Sequence, residues 1–135
     1  RKERLKEETM ALEVMSFLGI DNFEAKFLSG QPYAIQKLVV IARALISKPK
    51  LILLDEPAAG MNDQETLEIS KIILEIRDIL GITVLLVEHD MNLVMKISDR
   101  ICVLDSGRII ALGNPEKVKN NPDVVRSYLG DNGNA

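Results

Sequence analysis

The sequence is poor in cysteine and in aromatic residues, with one cysteine, no tryptophan and 4% aromatics. A single cysteine closes no disulfide within the chain, so we expect a reducing compartment such as the cytosol. Cys102 lies in the apolar run Ile101–Leu104, which predicts a buried thiol on a strand. Basic residues are not in excess either, because the sequence has 17 Lys and Arg and 20 Asp and Glu. This balance argues against nucleic-acid binding.

Long hydrophobic runs are also missing. Lys37, Arg43 and Lys48 interrupt the most apolar region, so no stretch reaches the ~18 apolar residues of a membrane helix, and we expect a soluble chain. The sequence begins with Arg1 and a charged segment that has no signal-peptide pattern, which we interpret as a piece cut from a longer protein.

Helical periodicity dominates the first third of the chain. Apolar residues recur at helical spacing up to Leu18, and Gly19 is expected to end that helix. Asp21 is predicted to cap a short second helix that runs towards Leu28. A stronger stripe follows Pro32, which we place in the first helical turn. The residues of this stripe are Ile35, Leu38, Val39, Ala42, Leu45 and Ile46.

Two short apolar blocks, Leu51–Leu54 and Thr83–Val87, predict strands that are buried on both faces. Between them an amphipathic helix begins at Asn62, which has capping-box spacing to Glu65. The order strand, helix, strand, helix predicts an α/β fold with a parallel sheet. An antiparallel hairpin of residues 101–104 and 108–112 follows, and short helices end the chain.

Polar side chains follow both predicted strands. Asp55 and Glu56 follow the first strand, and His89 follows the second. Ligands of parallel sheets bind at the carboxyl ends of the strands. If the first strand continues by one residue, the two acids leave on opposite faces, and one could serve a metal while the other serves a water. An arbitrary acidic pair at a strand end is more often merely solvated.

The string LILLDEP, preceded by a helix that ends in ARAL, resembles the Walker B segment of ABC-transporter ATPases. The resemblance extends over nearly the whole chain and implies a partial P-loop NTPase fold. Residues 1–48 would be part of the helical signature subdomain, residues 49–113 the C-terminal part of the RecA-like core, and residues 114–135 a C-terminal helical tail.

The resemblance also implies roles for the polar residues at the strand ends. Asp55 matches the residue that holds Mg²⁺ through water. Glu56 matches the general base that polarises the water attacking the γ-phosphate of ATP, and His89 matches the switch histidine that contacts the same phosphate. Asp90 is interpreted as a helix cap only.

The family's signature motif has an apparent match in Leu28–Gly30, but the register is wrong. In the family the ARAL segment begins eleven positions after the signature begins, and counting back from Ala42 gives Gln31. The signature, which would contact nucleotide held by a partner subunit, is therefore Gln31, Pro32, Tyr33, Ala34, Ile35 and Gln36. Pro32 has no amide hydrogen and Ala34 replaces a glycine, so phosphate contact by this variant signature is in question.

The variant signature and the D-loop Ala58–Asn62 resemble those of ATPase subunits from branched-chain amino-acid importers, and so do Gly113–Glu116 and Tyr128–Gly130. Asn62 can cap its own helix and also touch the opposing subunit. The implied partners are a second ATPase subunit arranged head to tail, transmembrane permease subunits and, indirectly, a solute-binding protein. The implied location is the inner face of the cell membrane, peripherally attached.

No string G-x-x-x-x-G-K-[ST] occurs in the sequence, so we expect the chain alone neither to bind ATP tightly nor to hydrolyse it. We also expect an incomplete sheet with an uncovered apolar face. Two alternatives stay open. One is a non-catalytic, P-loop-less partner module, and the other is the ATPase of another ABC system such as lipid export or of a soluble non-transport member.

Overall fold

The computed structural model describes residues 2–129 and divides the chain into two compact units, Arg1–Val87 and Glu88–Ala135. Gly130 and the rest of the predicted tail after Leu129 lie outside the described residues, as does Arg1. The division into residues 1–48, 49–113 and 114–135 follows the subdomains of the resembled family and stays a prediction.

The first unit contains three helices: α1 (Lys2–Phe17), α2 (Tyr33–Leu45) and α3 (Asp63–Asp78). Helix α1 ends as predicted, because Gly19 adopts a φ of 70° and its amide donates to the Ser16 carbonyl at 3.0 Å. Across residues 2–129 none of the helices combines the length and the apolar character that a membrane crossing requires.

The predicted second helix from Asp21 to Leu28 is wrong. Only one 3-10 turn forms, at Asp21–Phe23, and its N-cap is Ile20 without a side-chain hydrogen bond. Residues 24–30 are all exposed, so a longer helix would bury no apolar face to offset the cost of helix nucleation.

The first unit also holds the parallel strands β1 (Leu51–Asp55) and β2 (Thr83–Val87), which pair from Leu51 with Thr83 to Asp55 with Val87. Helix α3 is the crossover between them. It packs against β2 and buries Ile69, Ile73 and Ile76.

Only one face of this sheet is covered, so the prediction of strands buried on both faces is wrong, whereas the expected uncovered apolar face is present. Ile52 and Leu54 are 3% and 8% exposed, whereas the side chains of the other face keep more than half of their surface in solvent. The alternation follows from the pleat, because nothing in the described part of this unit packs on the second face. The exposed face consists of Leu51, Leu53, Leu85 and Val87.

The second unit begins with α4 (Met91–Ile97) and continues with a separate two-stranded antiparallel sheet, β3 (Ile101–Asp105) and β4 (Arg108–Gly113). The predicted hairpin is confirmed, with Ser106 and Gly107 as its turn at φ of 49° and 76°. Two positive φ values match the twist of a tight hairpin. After β4 come α5 (Pro115–Lys119) and α6 (Pro122–Val124), which continues as a π-helical segment, Val125–Leu129.

Cys102 lies on β3 as predicted but is exposed, not buried. Its neighbours Ile101 and Val103 point into the core of the second unit, at 6% and 5% exposure, so alternation along the strand turns the thiol outwards. This core is completed by Ala111, Val118 and Val124.

Candidate functional site

Asp55 is the last residue of β1 and pairs with Val87 at the carboxyl end of the parallel sheet. The alternation of β1 places Asp55 on the exposed face with Leu51 and Leu53. Among residues 2–129 no group of three or more His, Cys, Asp or Glu side chains could hold a metal by itself. A lone accessible carboxylate suits Mg²⁺, which keeps several waters and binds through one or two carboxylates together with substrate phosphates.

Glu56 turns the chain sharply out of the strand. Its φ is 46°, in the left-handed region, and its amide donates to the Val87 carbonyl at 2.8 Å. The strand continues by one residue beyond the predicted block, to Asp55, and ends at this turn. That the side chains of Asp55 and Glu56 leave on opposite faces stays a prediction. A left-handed conformation costs a residue with a side chain about 1–2 kcal/mol, and such strain is often found at functional sites.

Residues 56–62 form a tight loop between β1 and α3, which we call loop 56–62. Two turns shape it, with the Ala59 amide donating to the Glu56 carbonyl and the Met61 amide to the Ala58 carbonyl, each at 3.1 Å. Gly60 has a φ of 77°.

Asn62 closes loop 56–62 with a capping box. Its side-chain oxygen accepts from the Glu65 amide at 2.9 Å, and its own amide donates to the Glu65 carboxylate at 3.0 Å. The predicted cap is confirmed, while the D-loop role of Asn62 stays a prediction.

Helix α2 begins inside the predicted signature. Pro32 is its N-cap, not a first-turn residue, and makes no side-chain cap bond. The Gln36 amide donates to the Pro32 carbonyl at 3.1 Å, so the amides of Tyr33, Ala34 and Ile35 precede the first helical hydrogen bond. Amides at a helix N-terminus attract anions.

Hydrogen bonds of two glutamines hold the segment before α2. The Gln36 side-chain amide donates to the Gln31 carbonyl at 2.9 Å, and the Gln31 side-chain amide donates to the Phe27 carbonyl at 3.0 Å. Leu28–Gly30 lies in the exposed turn ahead of the helix. Helix α2 starts two residues after Gln31, the position counted back from Ala42, and the signature assignment stays a prediction.

A contact that the sequence did not predict joins this helix start to loop 56–62. A Cβ atom at Gly60 would lie 3.3 Å from Cε1 and 3.7 Å from Cδ1 of Tyr33, so the glycine sits directly against the ring. The ammonium of Lys37 lies 5.3 Å from the centroid of the same ring. A sequence pattern holds no signal for this contact, because the two segments are far apart along the chain.

His89 belongs to the second unit, two residues after the end of β2. Its ring is exposed, and its amide donates to the Glu88 carboxylate at 3.2 Å. Asp90 caps α4 by accepting from the Leu93 amide at 3.1 Å, which confirms its predicted role. The contact of His89 with a phosphate stays a prediction.

Comparison with known proteins identifies relatives of this chain. A family model described as "Branched-chain amino acid ATP-binding cassette transporter" matches residues 108–133. The high-affinity branched-chain amino acid transport ATP-binding protein LivG of Escherichia coli is 44% identical over 131 residues, which are 97% of this chain and 50% of LivG. A probable LivG of Archaeoglobus fulgidus is 38% identical over 133 residues, 93% of this chain and 50% of the relative.

Comparison with solved structures agrees with the comparison of sequences. An ATP-binding cassette of an ABC transporter in its ADP conformation superposes with a TM-score of 0.81 at 33% identity, over 91% of this chain and 50% of the other. A nucleotide-free ATP-binding cassette gives 0.81 at 32% identity, with the same coverage. The chain belongs to the ABC-transporter ATPase family.

The chain spans about half the length of the curated relatives it matches. The predicted resemblance to branched-chain amino-acid importer subunits and the predicted α/β fold are both confirmed. A zinc import ATP-binding protein, ZnuC of Alkalilimnicola ehrlichii, is also 37% identical over 118 residues, 87% of this chain and 45% of ZnuC. Identity at this level is therefore shared between importers of different solutes.

Proposed function

We propose that this chain is part of the ATP-hydrolysing subunit of an ABC importer for branched-chain amino acids. The observation that best supports this proposal is that one compact unit holds residues 31–36 at a helix start, Asp55 and Glu56 at the carboxyl end of the sheet, and the capped loop 56–62. The choice of solute rests on the 44% identity with LivG. The residues of the candidate site do not specify a solute by themselves.

Asp55 and Glu56 have different tasks in this proposal. Asp55 would hold Mg²⁺ through water, and the bound ion would supply positive charge to offset that of the phosphates. Glu56 orients the attacking water and accepts its proton, a role worth about 10²- to 10⁴-fold in rate. The hydrogen bond from the Glu56 amide to Val87 fixes the backbone from which this carboxylate works.

The remaining site residues act across subunits or at the γ-phosphate. The amides of Tyr33, Ala34 and Ile35 face nucleotide bound to a second ATPase subunit, flanked by Gln31, Pro32 and Gln36. Asn62 touches that subunit, and His89 contacts the γ-phosphate. Transmembrane permease subunits hold the ATPase pair on the inner face of the membrane, and a solute-binding protein delivers the amino acid to the permease.

Alone, the 135-residue chain is inactive in this proposal, because its sequence contains no P-loop string to hold the β- and γ-phosphates. The purified chain should show no Mg²⁺-dependent ATP turnover above a protein-free blank. Turnover by the purified chain that Glu56→Gln abolishes would contradict this part of the proposal.

A chimaera tests the function itself. The 131 matched residues of E. coli LivG are replaced by those of this chain, and the product is expressed in cells that lack LivG. High-affinity uptake of radiolabelled leucine should return, and it should be lost with Glu56→Gln. Glu68→Gln on the exposed surface of α3 is the matched control and should keep uptake.

The same experiment tests the non-catalytic alternative. A partner module would contribute its signature but not its own base. Uptake that survives Glu56→Gln in the chimaera would support the module and contradict our assignment. A well-expressed, membrane-associated chimaera without any uptake would contradict the importer function.

A further inference from the structure

Tyr33 and Gly60 form the one contact described above between the start of α2 and loop 56–62. Tyr33 is 51% exposed, so about half of the residue is covered by its neighbours. A Cβ atom at Gly60 would lie 3.3 Å from a ring carbon of Tyr33, which is tighter than nine in ten observed contacts of this kind. A side chain at position 60 would therefore require the ring or the loop to shift by a few tenths of an ångström.

Loop 56–62 is held at both ends by hydrogen bonds. At its start the Glu56 amide is bonded to Val87, and at its end Asn62 shares the capping box with Glu65. Gly60 lies between these ends, on the side of the loop that faces the Tyr33 ring. A shift of the ring would thus change the middle of the loop, four residues from Glu56 and two from Asn62.

We propose that Tyr33 is a positioning residue whose ring packs against Gly60 and thereby couples the start of α2 to the conformation of loop 56–62. In this role the Tyr33 side chain touches neither the reacting atoms nor the metal, and only the backbone amide of Tyr33 faces nucleotide. Movement of the α2 start changes the placement of Glu56 and Asn62 through the ring. The consequence for catalysis rests on the proposed function, whereas the coupling itself does not.

The coupling is tested by NMR spectroscopy of the isotope-labelled 135-residue chain. In Tyr33→Leu the backbone signals of Gly60 and Asn62 should shift, because the ring current and the packing are both lost. In Tyr33→Phe, which keeps the ring, they should stay close to their original positions. Phe27→Leu removes an 88% exposed aromatic ring and is the matched control that should leave these signals unchanged.

The reciprocal variant keeps the test valid if Tyr33→Leu fails to fold. Gly60→Ala places a methyl group against the ring and should shift the Tyr33 ring signals but not those of Tyr128. Loop signals that are unaffected by Tyr33→Leu, or Tyr33 signals that are unaffected by Gly60→Ala, would overturn the proposal.

The catalytic consequence is measured as ATP turnover of the purified LivG chimaera. Tyr33→Leu should lower kcat about tenfold and change KM for ATP by less than about twofold, because small misplacements of catalytic groups slow the chemical step. A raised KM with unchanged kcat would mean that the Tyr33 side chain binds nucleotide directly, and would overturn the positioning role. An inactive parent chimaera would contradict the proposed function, while the NMR result would still decide the coupling.

Discussion

The capping box of α3 allows a stability prediction to be worked out bond by bond. Asn62→Ala removes the acceptor that the Glu65 amide uses at 2.9 Å and leaves the reciprocal bond, since that one uses the Asn62 backbone. Loss of such a cap costs about 0.5–2 kcal/mol, and we place this exposed one near 1 kcal/mol. Helix α3 buries Ile69, Ile73 and Ile76, so fraying at its start weakens the core of the first unit.

Urea unfolding followed by far-UV circular dichroism measures this cost. With a slope of about 2 kcal/mol per molar urea, a loss of 1 kcal/mol lowers the midpoint by about 0.5 M. Asn62→Asp should restore stability to within about 0.5 kcal/mol, because aspartate caps helices as well as asparagine does. Asn22→Ala, at an exposed position, is the control and should change stability by less than about 0.5 kcal/mol.

Two results would refute the reasoning about the Asn62 cap. One is an Asn62→Ala variant as stable as the original chain, and the other is an Asn62→Asp variant as unstable as the alanine. The stability data also separate the two roles of Asn62, because a D-loop function would reduce turnover of the chimaera even in a variant whose cap is intact.

Three further predictions follow from exposure and burial. The exposed sheet face should make the purified chain self-associate. Leu53→Lys on this face should reduce the mass measured by light scattering, whereas the control Leu5→Lys should not. A monomeric parent chain would contradict this prediction. Ile76 is 0% exposed, so Ile76→Ala should lower the free energy of unfolding in urea by about 2–5 kcal/mol. Ile79 is 68% exposed, and Ile79→Ala should lower it by about 0.5 kcal/mol or less. Equal losses for the two variants would be inconsistent with the packing. The exposed Cys102 thiol should react with a maleimide in the native state about as fast as in urea, and strong native protection would mean that it is buried.

Local patterns of the sequence predicted the elements that depend on near neighbours. The spacing of Asn62 and Glu65 predicted the capping box, and Asp90 was recognised as a cap because it precedes a short apolar helix. The apolar blocks after Pro49 and Gly81 predicted two strands, and a crossover helix between them made a parallel pair the expected arrangement.

Features that depend on what packs against a segment could not be predicted in the same way. The block Leu51–Leu54 is apolar throughout, so periodicity cannot tell that one face is uncovered in this chain. Cys102 was misjudged because an apolar run on a strand puts alternate residues on opposite faces. The helix predicted after Asp21 failed because capping alone does not sustain a helix without a face to bury.

The candidate site was predicted from its resemblance to a family more than from its chemistry. By themselves Asp55 and Glu56 are an ordinary acidic pair. Only the surrounding string LILLDEP indicates a functional role for them. The left-handed backbone of Glu56 and the packing of Tyr33 on Gly60 have no local sequence signal, because both depend on segments that meet only in the folded unit.

ATP turnover by the purified LivG chimaera is the most direct test of the claim that Glu56 is the catalytic base. Glu56→Gln keeps the shape of the side chain but removes the proton acceptor, so kcat should fall by about 10²- to 10⁴-fold. An active chimaera whose turnover is the same with glutamate and with glutamine at this position would contradict the account.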